Sequence, residues 1–222
     1  MALKMNKGDY NLDNVKKLNF KRIPRHIGVI PDGNRRWAVN CGLEKKDGYK
    51  HGINPGFKLY ELCKGLGVEE LTLYGFTVDN TKRPAEQKTA FKQACVDAVL
   101  ELAQKDAELL VMGNDKSSCF PEELKPFLQR TTFGNGGMKL NFLVNYGWDW
   151  DLMQENGYAS QDISRIDLIM RWGGMRRLSG FLPIQSVYAD IFVLDEFWPE
   201  FTEEQFYRGI AWYQNQDKTL GG

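Results

Sequence analysis

The chain is expected to fold as a single α/β domain, with a central, mostly parallel β-sheet flanked by helices, on three observations. Short apolar runs alternate with helix-compatible stretches along the sequence. Runs such as Leu71-Thr72-Leu73-Tyr74 and Leu168-Ile169-Met170 lack a polar face, as strands covered on both sides do. No repeat, low-complexity tract or linker divides the 222 residues, a length that suits one compact domain with a sizeable core. Residues 23–222 are read as this domain, and residues 1–22, polar and Lys-rich, as a helical or partly ordered extension.

Strands are expected at 26–30, 70–77, 109–112, 139–145, 166–171 and 191–194, where β-branched and aromatic apolar residues cluster. Helices are expected at 35–41, 51–65, 84–104, 121–131 and 202–215. The 84–104 segment opens on Pro84, suited to a first turn. It carries an apolar stripe of Phe91, Cys95, Val99 and Leu102 beside a row of small residues, Ala90, Ala94 and Ala98. Two readings of that row stay open: close packing on the sheet, or room for a tunnel holding a greasy ligand.

Composition excludes several classes. Twenty-nine basic and twenty-nine acidic residues cancel, which removes global electrostatic support for a nucleic-acid partner. No apolar run reaches the length of a membrane span, so membrane contact is peripheral at most. Cys41, Cys63, Cys95 and Cys119 are scattered, matching neither a zinc pattern nor a disulfide framework. A soluble cytoplasmic protein with reduced thiols is the expectation.

The most informative segment is Arg25-His26-Ile27-Gly28-Val29-Ile30-Pro31-Asp32-Gly33-Asn34-Arg35-Arg36-Trp37-Ala38. It places one carboxylate, flexible backbone and two guanidiniums where a strand ends and a helix begins, a position that favours anions and phosphates in particular. Asp32 is compatible with a phosphate if a divalent cation stands between them, since Mg²⁺ takes one or two carboxylates plus phosphate oxygens. The segment 171–180 puts Arg171, Arg176, Arg177 and Ser179 around Gly173-Gly174 directly after a strand, a cationic loop with N–H groups suited to a diphosphate. The loop 77–84 reads by itself as an ordinary capped connection.

These motifs occur in a fixed order: His-x5-Asp-Gly-Asn-x-Arg-Trp; Leu-Thr-Leu-Tyr-x-Phe…Asn-x-x-Arg-Pro; Asn-Tyr-Gly; Asp-Leu-x-x-Arg-x-Gly-Gly-x-x-Arg-x-Ser-x-Phe; and Trp-Pro-x-Phe. From His26 to the C-terminus the chain resembles the cis-prenyltransferase family, of which undecaprenyl diphosphate synthase is typical. The resemblance implies an α/β fold with an apolar tunnel, a homodimer, and Mg²⁺-dependent condensation of an allylic diphosphate with isopentenyl diphosphate. It implies that Asp32 holds Mg²⁺, that Gly33, Asn34, Arg35, Arg36 and Trp37 form the loop around the allylic diphosphate, and that Asn34 stands near the reacting centre. Lys45 takes the place of a phosphate-binding Arg, which loses the bidentate fork. Phe76, Asn80 and Arg83 match residues lining the reaction site. Arg171, Arg177 and Ser179 match the site of the second diphosphate, and Gly221-Gly222 the tail that reaches the partner subunit.

The chain also departs from the family pattern. Tyr49 stands where a His is usual, and is expected to act at the catalytic centre or to pack there. Thr81 replaces a Trp, Met175 and Arg176 replace Glu and His, and Asp190 is a shortened version of a Glu that helps hold the metal. Arg176 either supplies part of the metal's charge toward substrate or faces solvent. The segment between Asn145-Tyr146-Gly147 and Asp167 is short, as if a helix were missing. Pro31-Asp32-Gly33-x-Arg35-Arg36-Trp37, Asp47-Gly48-Tyr49 and Ser179-x-Phe181-x-Pro183 resemble the cyclolavandulyl and lavandulyl diphosphate synthase subgroup, which joins allylic units head to middle, while Asn34 and Arg176 depart from it. The expected activity is therefore condensation of short isoprenyl diphosphates to a branched, cyclised or ordinary chain-elongated product. A terpene cyclase and a silent partner subunit are the rivals.

Overall fold

The computed structural model describes residues 20–155 and 157–217. The expected extension at 1–22, up to residue 19, and the tail Gly221-Gly222 lie outside them. Seven strands form one sheet in the order β4-β3-β5-β2-β1-β6-β7. They are β1 His26–Ile30, β2 Glu70–Tyr74, β3 Ala107–Met112, β4 Thr131–Phe133, β5 Met138–Leu143, β6 Leu168–Arg171 and β7 Asp190–Val193. Every pair is parallel except β3 with β4. The central strands β1, β2 and β6 are buried at every position, as their unbroken apolar runs require.

The two faces of the sheet are covered differently. One packs Ile27, Val29, Leu71, Leu73, Leu168 and Met170 against helices α3 (Ile53–Leu66), α4 (Ala85–Leu102) and α6 (Glu203–Tyr213). The other packs Ile30, Tyr74, Leu143 and Ile169 against Tyr146, Ile163, Ile166, Phe181 and Leu182. Among the described residues that side is covered by the short α5 (Trp148–Leu152), a 3₁₀ turn at Ala159–Asp162 and the loop carrying Phe181 and Leu182, without a long helix. This is where the sequence is short. Gly28 permits the close approach, since a Cβ there would stand 2.6 Å from the Phe181 ring.

Helix 51–65 is divided. Gly48–His51 forms a single turn, α2, and α3 begins after Gly52, with Pro55 in its first turn, where its missing N–H costs nothing. Segment 121–131 corrects an expectation: it forms a 3₁₀ helix at Glu122–Phe127 that contains Pro126, and the chain then pairs antiparallel to β3 as β4. The remaining helix, α1, is Asn34–Asn40. No helix among the described residues is long and apolar enough to cross a membrane.

Candidate active site

The register fixes which loops meet. Ile30 pairs with Arg171 and Val29 with Leu73, so the segments after β1, β2 and β6 leave the sheet at the same carboxyl edge. They surround a cleft of about 710 Å³. Ligands collect at this edge of open parallel sheets.

At its centre stands Asp32. Its Oδ2 accepts from Arg171 Nη2 at 2.8 Å, its Oδ1 lies 3.3 Å from Arg36 Nη2, and the Gly33 N–H donates to Oδ1 at 2.6 Å. Gly33 has φ 101°, and a Cβ there would meet Phe197 at 2.5 Å, so this corner requires glycine. Arg36 lies over the Phe197 ring at 5.0 Å, which leaves the guanidinium facing the cleft. The Arg171 side chain is only 3% exposed, whereas that of Asp32 is 33% exposed. Arg171 also donates Nη1 to the Arg177 carbonyl and, at 3.0 Å, to the Ser179 hydroxyl. It therefore works from behind, tying the carboxylate to the cationic loop.

The other expected residues fall into two groups. Asn34, Arg35, Lys45, Asn80, Arg83, Arg177 and Ser179 line the cleft with Asp32, Gly33, Arg36 and Tyr49. Asn34 donates Nδ2 to the Pro31 carbonyl at 2.9 Å while its buried Oδ1 has no protein partner. Asn80 caps its own 3₁₀ turn, accepting from the Thr77 N–H at 3.1 Å. Arg83 Nη1 donates to the Tyr49 phenol at 2.9 Å, and burial pushes the guanidinium below its ordinary value. Burial pushes the Tyr49 phenol up, against the opposing pull of Arg83 and Arg35.

Four expected residues lie elsewhere. Trp37 turns away and stacks at a tilt on His51, with ring centroids 4.7 Å apart. Phe76 is fully buried, edge-on to Phe91 at 5.4 Å. Arg176 lies beside Ile191, Phe192 and Trp212 at the β7 edge, in a separate groove of about 400 Å³. Asp190 opens β7 in register with Leu168, at the amino end of the sheet, 3.9 Å from Arg22. In one chain it cannot share a metal with Asp32. The loop amides also differ from expectation. Gly173 N–H donates to Glu196 O and Gly174 N–H to Leu194 O, each at 2.8 Å, so those two bind the chain rather than an anion.

Behind the cleft lies a small apolar cavity of about 60 Å³. Ala94 and Ala98 of the small row line it with Cys95, Leu102, Phe57 and Phe142, while Pro31, Asn34, Tyr49, Tyr74, Gly75 and Phe91 border both spaces. Tyr49 and Phe91 stack between them with centroids 4.4 Å apart and planes 5° from parallel. On α4 both rows therefore reach the cavity, Ala94 and Ala98 from the small row and Phe91, Cys95 and Leu102 from the stripe, while Ala90 and Val99 do not line it. Phe91, Phe197, Tyr74 and Gln87, which accepts from Arg35 at 3.4 Å, are site residues the sequence reading missed. Aromatics in buried runs read as core, and no local signal separates the two roles.

Among the described residues no three His, Cys, Asp or Glu side chains come together as a metal site. The carboxylates that line the cleft are Asp32 and Asp79, and Asp79 pairs with Lys82 at 2.7 Å.

A carboxylate–guanidinium centre at the carboxyl edge of a parallel sheet, with an apolar recess behind it, defines an enzyme that handles amphiphilic phosphate esters. The family model described as "Putative undecaprenyl diphosphate synthase" matches residues 30–157 and 153–221. The chain belongs to that prenyltransferase family, whose members transfer prenyl groups. The two matched pieces meet at 153–157, within the shortened segment. The chain is 30% identical over 237 residues to the farnesyl-diphosphate-specific ditrans,polycis-undecaprenyl-diphosphate synthase of Haemophilus influenzae, covering 93% of this chain and 98% of that one. The corresponding enzyme of Vibrio parahaemolyticus is 29% identical over 230 residues, covering 90% and 91%. In fold the chain is similar to lavandulyl diphosphate synthase from Lavandula x intermedia, solved with dimethylallyl diphosphate, at a TM-score of 0.77 and 22% identity over 90% of this chain and 98% of that one.

Proposed function

We propose that this enzyme condenses short isoprenyl diphosphates, joining an allylic diphosphate to isopentenyl diphosphate or a second allylic unit. The observation that carries the reading is the seam at Tyr49 and Phe91, which puts a charged cleft and a small apolar cavity back to back. An allylic diphosphate has that division of character, and about 60 Å³ of apolar room suits a short tail.

In this reading Arg35, Arg36, Lys45 and Arg83 face the allylic diphosphate, and Arg177 and Ser179 the second headgroup. The allylic carbon–oxygen bond breaks with its electron pair passing to the departing diphosphate, on which negative charge grows. Guanidiniums fixed beforehand by Gln87, Tyr49 and Phe197 meet that charge without reorganising. The second substrate's π electrons form the new carbon–carbon bond, and a proton is then lost, with the released diphosphate available to accept it. Asp32 would hold Mg²⁺, which when bound adds positive charge beside the leaving group. The apolar wall of Tyr49, Phe91 and Trp198 keeps water from the carbocation.

Linear chain elongation is supported by the printed activity of the relatives. Head-to-middle joining is supported by Tyr49, which replaces a family His and borders the cleft. Incubation with dimethylallyl diphosphate alone, then with isopentenyl diphosphate, followed by mass spectrometry and NMR of the products, tests the proposal. Short diphosphate products are expected. A ladder of long polyprenyl diphosphates would overturn the short-tail reading, and absence of any condensed product would overturn the proposal.

A homodimer is part of the same reading. Ile191 on the edge strand β7 is exposed, as are Val187 and Tyr188 just before it, and Arg176 and Asp190 belong to that side rather than to this chain's cleft. Light scattering is expected to give twice the mass of the chain.

A further inference from the structure

Tyr74 closes β2 and is 7% exposed, so by burial it reads as core. Its phenol, however, donates to the Ser179 carbonyl at 3.0 Å, across 105 positions of sequence. Ser179 needs that support. It has φ 53° and precedes Gly180 at φ 78°, so two successive residues adopt the left-handed conformation that a residue with a Cβ disfavours. The same residue is held at its hydroxyl by Arg171 Nη1 at 3.0 Å. Its carbonyl and hydroxyl are thus fixed from opposite ends, one by Tyr74 and one by the guanidinium that holds Asp32.

The Tyr74 ring is itself supported. Phe181 lies against it at 5.1 Å and Tyr146 meets it edge-on at 6.0 Å. The Tyr146 phenol donates to the fully buried Asp151 at 2.5 Å, and Asp151 also accepts from the Ser160 N–H at 2.8 Å and hydroxyl at 2.7 Å. Burial holds the Tyr74 phenol above its ordinary value, which keeps it a neutral donor.

We infer that Tyr74 is a positioning residue for the second diphosphate: through the Ser179 carbonyl it sets the strained turn that aims the Ser179 hydroxyl and the Arg177 side chain into the cleft. This rests on the proposed use of the Arg171–Ser179 loop for the non-allylic headgroup. A residue acting only by packing is replaced by Phe without consequence, whereas a residue acting by its hydrogen bond is not.

The test is Tyr74→Phe, which keeps the ring and removes the donor. Its KM for isopentenyl diphosphate is expected to rise about fivefold, the scale of one hydrogen bond. The KM for the allylic substrate, kcat and the melting temperature are expected to stay close to those of the parent. In a Ser179→Ala background the same change is expected to move that KM less, because one of the two groups it aims is gone and only Arg177 remains. An unchanged KM, an equal rise for both substrates, or a full effect in the Ser179→Ala background would each overturn the assignment. If the parent enzyme fails to bind isopentenyl diphosphate in a calorimeter, the functional reading falls and takes the assignment with it. If the parent binds and Tyr74→Phe binds equally, only the assignment falls.

Discussion

Asp32 and Arg171 form an ion pair at the centre of the cleft, buried on the arginine side and a third exposed on the carboxylate side, and they respond to substitution in different ways. Asp32→Ala removes the only carboxylate at the centre and is expected to reduce turnover by about a thousandfold or more, as loss of a preorganised charge at a reacting centre does. Far-ultraviolet dichroism should stay unchanged, because Asp32 is a third exposed. Arg171→Met is expected to lower stability as well as activity. It removes the donor to Asp32, Ser179 and the Arg177 carbonyl together, and about 1–3 kcal/mol in urea denaturation is the scale of such a loss. The sequence reading located both residues, but the ion pair between them was not legible: the place of Arg171 after a buried strand was, its bond to Asp32 was not. Trp37 and Phe76 were misplaced for a related reason, since membership of a motif says nothing about which face of a turn a side chain takes.

At the level of elements, α4 joins core to site. Cys95, Val99 and Leu102 pack on the sheet, while Ala94 and Ala98 leave the recess behind the cleft. Ala98→Leu is expected to fill much of that space and cost about 1–3 kcal/mol in overpacking, read as a lowered urea midpoint. Its KM for an allylic diphosphate one isoprene unit longer than dimethylallyl should rise about tenfold, the transfer energy of about two buried CH₂ groups, against a small change for dimethylallyl diphosphate itself. The strands β1, β2, β3, β5 and β6 were legible because burial on both sides leaves nearly unbroken apolar runs, and β7, a partly exposed edge strand, by the run Ile191-Phe192-Val193 alone. β4 was not: it is three residues long, carries Thr131 and Thr132, and follows a Pro-containing 3₁₀ turn whose composition imitates a helix. The break at Gly52 was hidden because the residues on both sides favour helix.

For the whole molecule, the two edges of the sheet hold opposite kinds of polar group. The carboxyl edge presents its charges to the cleft, while near the amino edge a network is sealed inside. There His26 Nδ1 lies 3.0 Å from the Ser164 carbonyl and Nε2 lies 2.8 Å from the Thr72 hydroxyl, whose oxygen accepts from Asn141 Nδ2 at 2.9 Å. That pattern is satisfied by a neutral ring that donates from Nδ1 and accepts at Nε2. Burial lowers the His26 pKa from its ordinary 6.5, so the unfolded chain binds the proton more readily than the folded one. The contribution to stability is therefore complete above about pH 6.5 and is lost as pH falls through the lowered folded value. Urea unfolding from pH 7.5 to 5 should show this decline, and His26→Gln, less stable at neutral pH, should show a flatter profile over the same window. The mostly parallel direction of the sheet followed from the alternation of elements, but its strand order and this sealed network did not, since His26, Thr72 and Asn141 are far apart in sequence and meet only through strand register.

The two amides of Gly173 and Gly174 are spent on Glu196 and Leu194, extending the β6–β7 ladder past its last strand residue. On the proposed function, a headgroup on that side would be gripped by the tips of long side chains, not by the amides of Gly173 and Gly174. Such a grip accommodates small changes in bond length and angle. Analogues with sulfur or methylene in place of the ester oxygen should seat with affinities close to those of the natural compounds, which makes them suitable inert mimics for trapping both substrates together.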